Sequence, residues 1–305
     1  MSKEIIRELT LLQSVINAIP TPLFFKDSEG VYLGCNQAFE EFVGKTRDQL
    51  IGRGVFELWE TSLAQIYFDA DAALIQSGGK QVYEAQVKYA DGILRDVLFH
   101  KSVFYAQTEN ISGLVGVLVD VTERKRAEEK LEKLATTDAL TGLYNRHHLY
   151  EALDAACKRA KRYGSHLAVL FLDLDGFKAI NDAQGHAVGD LLLIEVARVL
   201  RESVREMDLV ARFGGDEFVI VTESRDIGKE QPEPSELIAQ KIIDRLGQPF
   251  QIQGETLTIG ASIGIARYSL NGGDPQSLIK HADLGLYEAK ARGKGQYCNA
   301  TRETQ

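Results

Sequence analysis

An α+β chain of two domains joined by a helical connector is the fold class that the sequence predicts. Three observations carry the prediction. At roughly 150 residues per domain, the 305 residues suffice for two. The first third alternates short strand-like runs with small helices, whereas the last part alternates long amphipathic helices with apolar strands. Between them, Glu123 to Lys133 is almost wholly charged. The expected boundaries are residues 1–122, 123–137 and 138–305.

In the first domain, Leu9, Leu12, Ile16 and Ile19 recur at helical spacing, and Pro20 with Pro22 ends that helix. Leu23-Phe24-Phe25 then runs through the turn at Lys26-Asp27-Ser28-Glu29-Gly30 into Val31-Tyr32-Leu33. Three further strands are expected around Gln81 to Lys88, Leu94 to Tyr105 and Ile111 to Val119, which makes a mostly antiparallel sheet with helices on one side. In the connector, Ala127, Leu131 and Leu134 sit at spacings of four and three, a pattern that fits a solvated helix and a short two-stranded coiled coil alike.

The last part opens its sheet with Leu167 to Leu172, a continuous apolar strand ending in Asp173-Leu174-Asp175. Leu191 to Val204 reads as a helix that Asp190 can cap. Leu209 to Phe213 and Phe218 to Val221 face each other across a glycine turn. A helix from Ser235 turns Leu237, Ile238, Ile242 and Leu246 inward before Gly247 and Pro249 stop it. Leu257, Ile259, Ala261, Ile263 and Ile265 alternate as one strand, and Asp274-Pro275 opens the final helix.

Composition narrows the function classes. A hydrophobic fraction of 44% with 26% charged residues excludes a disordered or collagen-like chain. The net charge of −9 is shared: residues 1–122 carry 10 basic against 16 acidic side chains, and residues 138–305 carry 20 against 24. Neither domain is basic, so non-specific nucleic-acid binding is not expected. No apolar run approaches the ~18 residues of a spanning helix, and Met1-Ser2-Lys3-Glu4 leads into no apolar segment, so a cytoplasmic chain without membrane insertion is expected. Cys35, Cys157 and Cys298 are odd in number and form no metal spacing, which points to buried thiols.

The chemistry concentrates at two strand ends. Asp173 and Asp175 close a buried strand, and Asp216 and Glu217 adjoin the turn in Phe213-Gly214-Gly215-Asp216-Glu217-Phe218. Carboxylates so placed suit a hard divalent cation shared with phosphates. Either motif alone is equally ordinary turn chemistry. Their company decides the matter: Gly176-Phe177-Lys178-Ala179-Ile180-Asn181-Asp182, Gly185-His186 and Gly189-Asp190 follow the first strand. Asp138-Ala139-Leu140-Thr141-Gly142-Leu143-Tyr144-Asn145-Arg146 precedes it, and Ala282-Asp283-Leu284-Gly285-Leu286-Tyr287-Glu288-Ala289-Lys290 lies near the end. Five motifs in this order, over about residues 135 to 300, resemble the GGDEF family of diguanylate cyclases.

That resemblance implies a nucleotidyl-cyclase-like palm, a central sheet surrounded by helices, and a reaction in which two GTP condense into cyclic di-GMP and two pyrophosphates. Each 3′-hydroxyl attacks the α-phosphorus of the GTP held by a facing domain, so a homodimer is implied. By the same resemblance Asp173, the Leu174 carbonyl and Asp216 hold Mg²⁺ (Mn²⁺ being the alternative), and Asp216 or Glu217 takes the hydroxyl proton. Substrate contacts fall to Phe177, Lys178, Asn181, His186, Asp190, Gly214, Gly215, Lys290 and Lys294. Asn181 and Asp190 would read guanine, although Asp190 also suits a helix cap. Lys178 and Lys290 would face phosphates. Lys294 stands where many relatives carry arginine and lacks its fork. His186 fits a nucleotide neighbour or a structural histidine. Arg205-Glu206-Met207-Asp208 resembles the family's product-inhibition site, with Arg225 as a candidate third member.

The N-terminal domain resembles a PAS sensor through Ile19-Pro20, Leu23-Phe24-Phe25-Lys26-Asp27, Gly34-Cys35-Asn36-Gln37-Ala38-Phe39, Val43-Gly44, Leu50-Ile51-Gly52 and Asp120-Val121-Thr122-Glu123-Arg124-Lys125. Its small-molecule signal is not readable. His100 is its one histidine and sits on a strand, and no flavin-adduct motif surrounds Cys35, so a small organic ligand or none is expected. No Glu-x-Leu phosphodiesterase motif follows Tyr297. The competing reading is a catalytically silent cyclic di-GMP receptor using Arg205 and Asp208 alone; the intact Asp173 and Gly214 to Glu217 favour the enzyme.

Overall fold

The computed structural model describes residues 3–105, 111–224, 233–268 and 273–301. It divides into two compact units, residues 1–129 and 130–305.

The first unit begins with helix α1 (Lys3–Asn17) and a hairpin of β1 (Leu23–Asp27) and β2 (Tyr32–Cys35). Helices α2 (Gln37–Val43), α3 (Arg47–Leu50), α4 (Val55–Leu58) and α5 (Thr61–Ser77) follow, then β3 (Lys80–Lys88), β4 (Leu94–Tyr105) and β5 (Ile111–Asp120). The five strands form one antiparallel sheet in the order β2-β1-β5-β4-β3. Asn36 ends the hairpin and starts α2 at once. Its Oδ1 accepts from Phe39 N–H, and its amide donates to the Ile19 and Thr21 carbonyls at 3.0 and 2.9 Å. Period-two alternation sorts the sheet: Val97, Phe99 and Lys101 are buried, while Val82, His100 and Val119 face out. His100 therefore points away from the core. Cys35 is buried, which pushes its thiol up to about 11. All three cysteines are free and buried.

Helix α6 (Thr122–Thr136) coincides with the charged connector, and its Ala127, Leu131 and Leu134 are exposed.

The second unit runs α7 (Arg146–Tyr163), β6 (His166–Asp175), α8 (Phe177–Gln184), α9 (His186–Ser203), β7 (Leu209–Gly214), β8 (Glu217–Ser224) and α10 (Pro234–Leu246). The small pair β9 (Phe250–Ile252) and β10 (Glu255–Leu257), β11 (Gly260–Arg267), α11 (Pro275–Ala291) and β12 (Tyr297–Asn299) complete it. The main sheet has the order β12-β11-β6-β8-β7. Both faces are covered, which explains the unbroken apolar run of its central strand. Leu170, Leu172 and Leu174 pack under α9 and α10, and Val169 and Phe171 under α7 and α11. A Cβ at Gly264 would fall 1.9 Å from the Ala282 carbonyl oxygen, so glycine there lets α11 lie against β11.

Three expectations need correction. The alternating stretch 257–265 is two strands, because Leu257 pairs with Phe250 before β11 joins the main sheet; all five apolar residues still enter one core. Leu237 is 55% exposed, and Ala239 takes the inward position with Ile242 and Leu246. Helix α9 starts at His186 after Gly185 (φ 86°), so Asp190 lies inside the helix and caps nothing. Among the described residues, no helix is long and apolar enough to cross a membrane.

Candidate active site

Strands β6 and β8 build the site. Their antiparallel register sets Asp173 opposite Glu217, and the Leu174 N–H donates to the Asp216 carbonyl at 3.3 Å. Asp173, Leu174, Asp216 and Glu217 thus meet at one end of the sheet. Asp175 is engaged elsewhere: it accepts from the Ser262 hydroxyl at 2.9 and 3.0 Å and from the Gly295 N–H at 3.1 Å. It ties β11 and the loop after α11 to the end of β6.

The hairpin tip turns at Gly214-Gly215, where Gly215 adopts φ 55°, a conformation open to glycine. Arg212 braces it. Its Nε and Nη2 donate to the Gly215 carbonyl at 2.9 and 2.7 Å, and its Nη1 donates to the Asp138 carboxylate at 3.2 and 3.3 Å. Burial alone would raise the Asp138 carboxyl, but hydrogen bonds from Thr141 and Arg212 hold it below its ordinary value. Motif reading passes over Arg212. Its signal is its place two residues before Gly214, with Asp138 leading the opening motif.

The electrostatics are those of an anionic cleft. Burial raises the Asp173 carboxyl. Lys290, whose Nζ lies 2.7 Å from Oδ1, pulls it back, and Asp216 and Asp175 push it up again. Glu217 is raised by burial first and then by Asp173, Asp283 and Asp216. Carboxylates forced together around one ammonium fit a divalent cation. Among the described residues, no three His, Cys, Asp or Glu side chains converge to enclose an ion unaided. A partial donor set of that kind suits Mg²⁺, which keeps positions for phosphate and water. Lys290, expected on the phosphates, is here the partner of Asp173.

Helix α8 leaves β6 through Gly176, burying Phe177 and exposing Lys178 in its first turn. Among the described residues Asn181 Oδ1, which is buried, has no hydrogen-bond partner; it lies against Gly189 of α9, where a Cβ would come within 1.8 Å of it. A buried amide oxygen left in this way is an open acceptor. His186 and Asp190 are exposed on the first two turns of α9, so His186 is no core histidine. Lys294 is exposed with φ 66°, between Gly293 and Gly295.

Arg205 and Asp208 are not brought to this cleft. They line a cavity of about 530 Å³ with His166, at the other end of β6. Seven residues at about 3.3 Å each separate His166 from Asp173 along the strand. Asp208 is buried and accepts from the Arg205 backbone N–H at 2.9 Å, so the pair is not a surface ion pair. Arg225 lies outside the described residues.

Known proteins match this architecture. The family profile "Diguanylate cyclase, GGDEF domain" matches residues 135–296, just over half the chain, and a PAS-fold profile matches residues 16–126. MucR of Pseudomonas aeruginosa, a bifunctional diguanylate cyclase/cyclic di-GMP phosphodiesterase, is 46% identical over 177 residues, 58% of this chain and 25% of MucR. PdeR of Escherichia coli, a cyclic di-GMP phosphodiesterase, is 30% identical over 99% of this chain and 45% of PdeR. The chain thus spans between a quarter and a half of these two relatives. A diguanylate cyclase of Vibrio cholerae is 28% identical over 98% of this chain and 92% of its own length. Among solved structures, the coiled coil and GGDEF domain of DgcB from Caulobacter crescentus, in complex with c-di-GMP, matches with TM-score 0.52 and 29% identity, over 58% of this chain and 93% of that one. The GGDEF domain of TpbB (YfiN) from Pseudomonas aeruginosa matches with TM-score 0.50 and 37% identity, over 54% and 94%. On the profile match and the strand-end motifs together, the chain belongs to the GGDEF diguanylate cyclase family and carries a PAS-fold unit before that domain.

Proposed function

We propose that the chain is an active diguanylate cyclase that condenses two GTP into cyclic di-GMP and two pyrophosphates. The observation that carries this reading is the register of β6 on β8, which sets Asp173 against Glu217 with Leu174 and Asp216 hydrogen-bonded beside them. In each half-reaction a 3′-oxygen forms a bond to the α-phosphorus of the other GTP, the bond to pyrophosphate breaks, and the hydroxyl proton leaves to a base. Asp173, the Leu174 carbonyl and Asp216 are the residues to hold Mg²⁺, which when bound neutralises the triphosphate. Glu217, whose carboxyl burial raises above its ordinary value, is suited to accept a proton, as is Asp216. The orphaned Asn181 oxygen can accept from guanine N–H groups, and exposed Asp190 can do the same. Lys178, Lys290 and Lys294 are the cations available to phosphates, and exposed His186 is a further nucleotide neighbour.

One site holds one GTP, so closure of the ring needs two protomers face to face. The exposed Ala127, Leu131 and Leu134 of α6 support a helical seam between them, as does the coiled coil of DgcB. Product would return to the Arg205–Asp208 cavity and inhibit, and the PAS-fold unit would supply a further input. Incubation with GTP and Mg²⁺ followed by separation of the nucleotides tests the reading. Cyclic di-GMP and pyrophosphate are expected; unchanged GTP from a chain that binds cyclic di-GMP would make it a silent receptor instead.

A further inference from the structure

The PAS-fold unit holds a charge imbalance in its core. Lys26 on β1, Lys101 on β4 and Asp71 on α5 are each buried, with side-chain exposures of 2 to 4%. Lys26 Nζ donates to Asp71 Oδ2 at 2.6 Å, and Lys101 Nζ donates to Oδ1 at 2.5 Å. Two ammonium groups thus share one carboxylate. Each ammonium has three N–H donors, and among the described residues neither donates to any other group. Aromatic faces give partial relief: Lys26 Nζ lies 4.5 Å from the Tyr32 ring centre, and Lys101 Nζ lies 5.3 Å from that of Tyr83. A net positive charge without a counter-ion in a protein core costs several kcal/mol. Burial accordingly lowers the Lys26 ammonium, against the pull of Asp71.

The imbalance faces a cavity. About 120 Å³ lies between helices and sheet, with Lys26 and Lys101 in its wall, whereas Asp71 is not among the lining residues. The two lysines therefore stand between the cavity and the carboxylate. The rest of the wall is mostly apolar and aromatic, including Phe24, Phe39, Phe42 and Phe99. Water could satisfy the donors but not the charge. The volume is close to the roughly 150 Å³ of an apolar cavity that accepts benzene.

We propose that this cavity binds a small organic monocarboxylate, its carboxylate on Lys26 and Lys101 and its apolar body among the aromatic rings. The site names the ligand chemistry for the sensory input of the proposed function, and that regulatory role rests on the cyclase reading. The binding itself does not, and it is measured without GTP.

The test uses the full chain with butyrate and benzoate as aliphatic and aromatic probes, their amides as neutral counterparts, and sodium chloride as the bare anion. Calorimetry or ligand-detected NMR should give a dissociation constant of about 1 mM or tighter for at least one carboxylate. Its amide and chloride should bind at least about tenfold more weakly. Lys101→Met leaves a balanced Lys26–Asp71 pair, so the ligand-free variant should melt no lower than the wild type while losing carboxylate binding at least tenfold. The proposal is overturned if amide or chloride matches the carboxylate, if neither carboxylate binds by about 10 mM, or if Lys101→Met folds and binds unchanged. A variant that melts lower without ligand would also overturn it, since the lysine would then carry no surplus charge. A chain that binds carboxylates but leaves GTP intact contradicts the cyclase reading alone. One that cyclises GTP and ignores carboxylates contradicts only the ligand assignment.

Discussion

The two units keep charge from water in opposite ways. In the PAS-fold unit, Lys26, Asp71 and Lys101 are sealed in the core, with an excess of positive charge and an aromatic surround. In the GGDEF unit, Asp173, Asp216 and Glu217 stand half-buried at the end of a sheet, with an excess of negative charge and one lysine among them. A sealed imbalance puts the fold at risk when its one carboxylate is lost. A half-open imbalance is tolerated because solvent screens it, and it remains free to meet a cation or a nucleotide. The same side-chain types are thus placed for stability in one unit and, on the proposed function, for chemistry in the other.

The largest effect is expected from Asp71→Asn, which leaves two buried ammonium groups with no carboxylate. Loss of one partner from a buried ion pair costs about 3–5 kcal/mol, so the first unit should unfold far earlier in urea while the second keeps its transition. A shift below about 1 kcal/mol would show that the two sites do not differ as described. Asp173→Asn should reverse the pattern: cyclic di-GMP production falls on the order of 10²-fold or more, and the urea transitions stay in place.

Gly189→Ala sharpens the contrast inside the GGDEF unit. The new Cβ forces the Asn181 amide aside, since only 1.8 Å separates them, while alanine suits a helix better than glycine. Steady-state kinetics should show KM for GTP raised about tenfold, worth about 1.4 kcal/mol, with kcat and melting temperature nearly kept. Unchanged KM would remove Asn181 from the guanine site.

The smallest effect concerns Glu217, whose carboxyl is raised by burial and by Asp173, Asp283 and Asp216. A raised carboxyl binds its proton more tightly in the folded state, so its stabilising contribution is complete below the ordinary carboxylate range and is lost as pH rises through the folded value. Glu217→Gln should therefore melt higher than the wild type by about 1–3 °C near neutral pH, and the gain should vanish toward about pH 4. A gain that persists in acid would point to packing rather than charge.

The proposed active-site end was legible because its residues are consecutive. Asp173-Leu174 and Gly214 to Glu217 sit beside turns, and turn residues announce themselves in a sequence. The sheet that brings them together followed from apolar runs. The Lys26–Asp71–Lys101 cluster was not legible, since its members lie 45 and 30 positions apart and each alone looks like a surface charge on a strand or helix. Leu237 and the break at Thr258 were missed for a related reason: periodicity shows which residues are apolar, whereas neighbouring elements decide which face is covered. Arg212 needed both the turn and Asp138 in view at once.

The central claim is that two copies of this half-open site make one product. The direct measurement is the rate of cyclic di-GMP formation per protomer against protein concentration, for the wild type and for a variant carrying Leu131→Glu and Leu134→Glu. Both leucines are exposed on α6, at 66% and 61%, so the variant should fold as the wild type does. The account expects the wild-type rate to reach a plateau as protomers pair, and the variant to need at least about tenfold more protein for the same rate. Rates per protomer that are independent of concentration down to the nanomolar range, and identical in the two proteins, from chains that sediment as monomers would contradict it.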